Sequence, residues 1–193
     1  SGGMTDFNAG IVGTGHALPT GVITNADLER MVETSDDWIT TRTGIRERRK
    51  ASETEFTSTF AVEASRHALD AASLTPGDLD LILCATVCPD MVLPSTACFI
   101  QAELGATRAA GFDLTAACSG FLYGLTIADK FVASAQYRNV LVIGAELLTR
   151  YVDYTDRSTC VIFGDGAGAA VVSRVSKPRG ILASRIMSDG TLA

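Results

Sequence analysis

The sequence predicts an α/β protein in which helices cover both faces of a buried, mostly parallel sheet. Short apolar runs alternate along the chain with longer segments whose apolar residues recur at helical spacing. A length of 193 residues at 47% hydrophobic content supplies a sizeable core, in one domain or in one and a fraction. No low-complexity tract, short repeat or flexible linker interrupts the alternation.

The elements follow in order. Asn8 to Gly15 reads as a first strand. Thr24 caps a short helix through Glu33, and Ser35 caps a second from Asp36 to Thr41, because a short hydroxyl side chain accepts from the free first-turn amides. Glu55 to Ala72 makes a longer amphipathic helix, and Leu79 to Ala85 is a continuous apolar strand. Pro94 opens a helix through Leu104, proline being tolerated in a first turn. Ala110 to Thr115 is a strand, Ser119 to Gln136 a long helix and Val140 to Ala145 a strand. Ala167 to Val175 and Gly180 to Met187 read as paired strands. Lys177-Pro178-Arg179-Gly180 is the strongest punctuation, so a boundary is expected between 4–177 and 178–193. Ser1-Gly2-Gly3 ahead of Met4 reads as an expression scar.

Composition excludes several functions. Sixteen Lys and Arg against 22 Asp and Glu give a net charge of −6, which argues against nucleic-acid binding. The longest apolar runs, such as Val140 to Ile143, are far too short to cross a membrane, and no signal peptide follows Met4. Five cysteines without framework spacing fit a reduced, cytoplasmic protein. There are only two histidines, His16 and His67.

Cys118 is the candidate nucleophile. It sits where the strand ending near Thr115 runs into a helix, flanked by small residues at Ala116 and Gly120, as a sharp strand-to-helix turn requires. A helix N-terminus favours negative charge and so favours a thiolate. No charged residue follows Cys118 until Asp129, which places the first half of the helix in the interior, with Phe121, Leu125, Ala128 and Val132 on one apolar face. The competing reading is a buried packing cysteine. Cys84, Cys88, Cys98 and Cys160 lack this context and read as structural; Cys84 and Cys88 have no second ligand pair, so no metal site is expected. Gly13-x-Gly15 lacks the third glycine of a dinucleotide loop, and Gly164 to Gly168 lacks the Lys-Ser/Thr of a phosphate loop, so close backbone packing is expected at both.

Five basic residues fall between Arg42 and Lys50: Arg42, Arg46, Arg48, Arg49 and Lys50. The sole tryptophan, Trp38, precedes Arg42 by four residues, so the two share a helix face. An aromatic plate beside a guanidinium suits a base and its phosphates. A solvated basic helix end is the alternative for Arg48 to Lys50. A reactive thiol inside and a nucleotide platform outside fit a long substrate whose reactive end reaches inward.

These features coincide in one family. The stretches Thr24 to Glu29, Thr34 to Arg48, Pro94 to Cys98, Ala116 to Phe121, Thr155 to Arg157 and Phe163 to Ala169 occur in order, and by them the chain resembles the β-ketoacyl-acyl carrier protein synthase III enzymes. The resemblance implies a thiolase-like fold, one βαβαβαββ half with helices on both sides of a mixed sheet. It implies that Cys118 takes an acetyl or other short acyl group from coenzyme A and passes it to malonyl-acyl carrier protein by decarboxylative condensation, with amides at the helix start stabilising the oxyanion. Trp38 would stack on the adenine with Thr34, Arg42 and Arg157 around the nucleotide. Leu148 and Phe163 match acyl-pocket positions, and Leu93 a position reaching the partner's pocket in a homodimer. No cofactor is implied beyond the coenzyme A thioester substrate.

The family's condensing His and Asn lie in its C-terminal half, and neither His16 nor His67 matches that motif. The expectation is therefore an acylation half-site whose condensation half is supplied by a separate or missing polypeptide. A cysteine-nucleophile α/β-hydrolase is the enzymatic rival, although that fold places its His after the nucleophile and none follows Cys118. A secondary-metabolism or non-decarboxylating condensing enzyme, or a non-catalytic coenzyme A-binding subunit, are the other readings.

Overall fold

Alternation along one short strand assigns the two layers of the core. The computed structural model describes residues 6–192, and in it Leu81–Ala85 is buried at every position. Leu81 and Leu83 pack with Ala128 and Val132 on one face, whereas Ile82 and Cys84 pack with Phe60, Ala64 and Ile100 on the other. That is the two-residue period of a pleated strand covered on both sides.

In chain order the strands are β1 (Phe7–Ala17), β2 (Gly21–Thr24), β3 (Glu47–Lys50), β4 (Leu81–Ala85), β5 (Ala110–Leu114), β6 (Val140–Leu147) and β7 (Asp165–Ser176). The α-helices are α1 (Asn25–Glu29), α2 (Asp36–Thr43), α3 (Thr57–Ala72), α4 (Thr96–Leu104) and α5 (Gly120–Ala133). The main sheet has the order β1-β7-β6-β4-β5, with α3 and α4 on one face and α5 on the other. β4 runs parallel to β5 and β6, but β6–β7 and β7–β1 are antiparallel. The sheet is thus evenly mixed rather than mostly parallel. Helices α4 and α5 provide the crossovers that parallel neighbours need, whereas β7 follows β6 with no α-helix between them. The arrangement agrees with the mixed sheet and two-sided helix cover of the thiolase-like fold.

Gly13 and Gly15 show why β1 needs glycine. A Cβ on Gly13 would lie 2.3 Å from the Ala68 carbonyl oxygen, and one on Gly15 2.3 Å from that of Ala64. The Gly-x-Gly pair is a seat for α3, which any larger residue would lift away.

Several element boundaries differ from expectation, each for a local reason. The first short helix ends at Glu29 instead of Glu33, because the Glu29 carboxylate accepts from the Asp36 amide at 2.7 Å and draws the chain into α2. Helix α4 starts at Thr96, past Pro94: the Asp113 carboxylate on β5 accepts from the Thr96 and Ala97 amides at 2.7 and 2.8 Å and fixes the first turn there. Gly180 to Met187 forms no strand. Both edges of β7 are already taken, by β1 and β6, and the Ile181 amide instead donates to the Ala9 carbonyl at 2.7 Å. Residues 177–180 do form a turn, with the Arg179 amide donating to Ser176. Ser1-Gly2-Gly3, read as a scar, lies outside the described residues.

Arg48 to Lys50 is neither a helix end nor wholly solvated. Glu47 to Lys50 is β3, paired antiparallel with β2. This ribbon, α1 and α2 enclose a small core of Ile23, Leu28, Ile39, Cys160 and Val161, with Trp38 packed against it.

Candidate active site

The site begins at a strained turn. From β5 the chain enters a 3-10 turn at Ala117–Ser119 and then α5. Ala117 has φ of 46°, left-handed backbone that costs a non-glycine residue about 1 kcal/mol or more. The next residue is Cys118, which is exposed. The small residue two positions on is explained by packing, since a Cβ on Gly120 would meet that of Ala85 at 3.0 Å.

Two expectations about this region are corrected. Cys118 lies at the expected junction, in the turn ahead of α5, but the Ser119 and Gly120 amides, expected to be available to an oxyanion, are engaged with the Ala116 and Ala117 carbonyls. The first half of α5 is not interior. Leu122 is 62% exposed, while Gly124, Ala128 and Val132 are buried along the side that meets the sheet. Asp129, expected to mark the emergence of the helix, is itself only 7% exposed. Burial on α5 follows its sheet-facing side and not its position along the axis.

Cys118 opens onto an apolar cavity of about 360 Å³ whose wall includes Val87, Phe121, Leu148, Phe163 and Glu146. It lies beyond the C-terminal ends of β4 and β6, where ligands bind in open α/β sheets. Leu148 and Phe163, two of the three expected pocket residues, are thereby brought to Cys118. Leu93 is not on this wall and is 81% exposed. Sequence reasoning missed Glu146. The signal was one acidic residue closing the apolar run Val140–Leu147. Its carboxylate accepts from the Val87 amide at 2.9 and 3.1 Å. Another cavity, of about 500 Å³ beside Ser58, Arg66 and Glu103, has no cysteine on its wall.

The other thiols divide. Cys84, Cys88 and Cys160 are buried, as structural cysteines should be. Burial pushes the Cys88 thiol up to about 12, with a hydrogen bond to Glu146 adding to the rise, and burial also raises Cys84 and Cys160. Cys98 departs from the structural reading, being exposed near the start of α4 with its Sγ 3.2 Å from Ser95 Oγ.

A second recess of about 210 Å³ is lined by Glu33, Thr34, Ser35, Trp38 and Arg157. Ser35 caps α2 by accepting from the Trp38 amide at 3.1 Å, which fixes where the indole emerges. The Arg42 guanidinium lies 4.4 Å and that of Arg157 5.1 Å from the Trp38 ring centroid. Arg157 is also held by the Glu33 carbonyl at 3.2 Å. The Thr34 hydroxyl oxygen is buried and unpaired. All four expected nucleotide-binding residues, Thr34, Trp38, Arg42 and Arg157, are therefore neighbours. One segment between β6 and β7 links the two sites, carrying Leu148 and Phe163 to the cavity and Arg157 to the recess.

Arg48 leaves the basic patch altogether. It is 5% exposed and donates to the carbonyls of Ile23 at 3.2 Å and Val161 at 2.8 Å and to Asn25 Oδ1 at 2.9 Å. It is an internal strut, and burial lowers its pKa. Asp165 is the matching acidic anchor: it accepts from the Ala51 amide at 2.8 Å and from the Thr149 amide and hydroxyl at 2.9 and 2.7 Å. The glycines around it belong to this junction. The histidines stand elsewhere, with His67 Nδ1 2.9 Å from the His16 carbonyl oxygen, and neither is on the cavity wall. Among the described residues no cluster of three His, Cys, Asp or Glu side chains is placed to hold a metal ion, and no helix is long and apolar enough to cross a membrane.

Comparison with known proteins finds extensive similarity. Residues 112–190 match the family model for 3-oxoacyl-[acyl-carrier-protein (ACP)] synthase III. A β-ketoacyl-[acyl-carrier-protein] synthase III from Caldanaerobacter subterraneus subsp. tengcongensis is 61% identical over 183 residues, 95% of this chain and 55% of the relative. The crystal structure of 3-oxoacyl-[acyl-carrier-protein] synthase III from Aquifex aeolicus superposes with a TM-score of 0.93 at 55% identity, over 95% of this chain and 59% of that one. Over nearly its whole length this chain is similar to synthase III enzymes. The priming β-ketosynthase from the R1128 polyketide biosynthetic pathway is also similar, with a TM-score of 0.86 at 39% identity over 92% of this chain and 54% of that one. The chain spans just over half the length of the curated relatives it matches.

Proposed function

We propose that this chain is the acylation half-site of a synthase III that initiates fatty-acid synthesis, with Cys118 as its nucleophile. One observation carries the reading: a single inter-strand segment delivers Leu148 and Phe163 to the Cys118 cavity and Arg157 to the Trp38 recess. A coenzyme A thioester has the matching shape, a nucleotide at one end and a small acyl group at the other. In this reading Trp38 stacks on the adenine and Arg42 and Arg157 meet phosphate oxygens, while the unpaired Thr34 hydroxyl offers a further polar contact.

In the first half-reaction the Cys118 sulfur attacks the thioester carbonyl. A new sulfur–carbon bond forms, the bond to the coenzyme A sulfur breaks, and the thiol proton leaves with coenzyme A. The Cys118 amide is the assigned oxyanion donor, because those of Ser119 and Gly120 are spent within the turn. In the second half-reaction malonyl-acyl carrier protein loses carbon dioxide and its α-carbon bonds to the acyl carbon, expelling the Cys118 thiolate. The enolate-stabilising groups are assigned to polypeptide outside these 193 residues, beyond the turn at 177–180, since neither histidine faces the cavity. The working enzyme is proposed to be a cytoplasmic homodimer in which exposed Leu93 reaches the partner's pocket, with no cofactor beyond its thioester substrates. Similarity to a polyketide priming β-ketosynthase supports a second reading, the same acylation chemistry in a secondary-metabolite pathway.

Incubation with labelled acetyl-coenzyme A tests the common step. The expected result is one acetyl group on Cys118 by peptide mass spectrometry, abolished in Cys118→Ala. Tight binding of the thioester without covalent label would overturn the proposal in favour of a coenzyme A-binding subunit.

A further inference from the structure

Among the described residues, Glu146 is the only charged side chain on the Cys118 cavity wall. Its oxygens accept from the Val87 amide at 2.9 and 3.1 Å, and one lies 3.3 Å from the Thr86 hydroxyl. Thr86 Oγ1 in turn accepts from the Cys88 amide at 3.0 Å. The loop after β4 is thus tied down by a carboxylate facing a space otherwise walled by Val87, Phe121, Leu148 and Phe163. The coupling extends to the Cys88 thiol, raised in part by this same carboxylate.

A carboxylate offers about four lone-pair sites, and the protein fills about three of them. Water in the cavity must meet the remainder. At about 30 Å³ per liquid water, a space of about 360 Å³ is worth on the order of ten waters. A two-carbon acyl group leaves room for water at the carboxylate. A long alkyl chain fills the space and strips it, leaving a charged acceptor unmet against hydrocarbon, which is strongly unfavourable.

We propose that Glu146 determines acyl specificity by restricting the cavity beside Cys118 to short chains, through the cost of desolvating its carboxylate. This rests on the reading of Cys118 as the acyl acceptor. The filter acts through charge rather than through space, so a neutral residue of the same size relaxes it.

The test is acyl capture on the full chain, followed by intact-mass time courses with acetyl- and octanoyl-coenzyme A. The octanoyl-to-acetyl rate ratio is measured for the native protein, Glu146→Gln, Glu146→Leu and Glu146→Ala. The ratio is expected to rise several-fold in Glu146→Gln and roughly tenfold or more in Glu146→Leu, the scale of relieving an unmet charged acceptor. A ratio that rises only in Glu146→Ala makes the filter steric and overturns the proposal, as does an unchanged ratio in all three. If Glu146→Leu fails to fold, the near-isosteric Glu146→Gln decides alone. Native protein that captures neither acyl group refutes the acyltransferase reading instead, a result distinct from capture without any shift in ratio.

Discussion

Replacing Arg48 with methionine removes the strut that joins β2, the start of α1 and the segment leading into β7. Three hydrogen bonds are lost, to Ile23, Asn25 and Val161, each from a cationic donor and each to an acceptor that stays buried. At the low end of about 1.5 kcal/mol each, the three total about 4.5 kcal/mol. Among the described residues no carboxylate pairs with Arg48, and its Nε is buried without a partner. Removing an uncompensated cation therefore returns about 1–2 kcal/mol, and the net expected loss is about 3 kcal/mol. Urea unfolding read by the fluorescence of Trp38, the sole tryptophan, measures it in the small core that Arg48 supports. With a slope of about 2 kcal/mol/M, the midpoint falls by about 1.5 M. Arg48→Lys, which keeps the charge but not the fork of donors, falls between the two. A methionine variant within about 0.3 M of the native midpoint, a difference of about 0.6 kcal/mol, would refute the idea that this arginine holds the fold.

Other outcomes follow from the same geometry. Trp38→Ala is expected to raise the KM for acyl-coenzyme A capture roughly tenfold to a hundredfold with little change in the maximal rate, the loss of one base-stacking platform; an unchanged KM removes Trp38 from the nucleotide site. Asp165→Asn replaces a buried acceptor of three hydrogen bonds with an amide, at a cost of about 2–3 kcal/mol, and slows acyl capture because Thr149 adjoins Leu148. Stability and capture both at native levels would count against that junction. Alkylation at pH 8 should modify exposed Cys98 and Cys118 and spare Cys84, Cys88 and Cys160, as peptide mapping will show. The Cys88 thiol titrates higher folded, at about 12, than unfolded. Its contribution is therefore fully present below the ordinary thiol range of about 8.5 and is lost as pH rises toward the folded value. Urea midpoints should decline over that alkaline window, less steeply in Cys88→Ala, and parallel declines would assign the loss to other groups.

The parts of the fold legible in the sequence are those that local rules control. Thr24 and Ser35 cap their helices because a hydroxyl can satisfy amides two or three residues ahead whatever surrounds it. The buried strand at Leu81–Ala85 announces itself by an unbroken apolar run. Trp38 and Arg42 are neighbours because one helical turn separates them. The misreadings concern partners far away in sequence. Pro94 gave no hint that Asp113 would set the start of α4, and nothing within Gly180–Met187 reveals that β7 has no free edge. Arg48 is indistinguishable in composition from Arg46, yet one is buried against Val161 and the other is exposed.

The candidate site divides along the same line. The sequence by itself singled out Cys118 as the candidate nucleophile, Trp38 and Arg42 as the candidate nucleotide platform, and the resemblance to synthase III, because each rests on residue types at short, fixed spacing. Only the tertiary structure decided that Cys118 stands in an exposed strained turn and that Glu146 puts a charge on the cavity wall it shares with Leu148 and Phe163. Residues from the ends of β4 and β6, from the turn after β5 and from the approach to β7 meet at one cavity. Their meeting depends on the order and direction in which the strands pair, which no local stretch of sequence encodes.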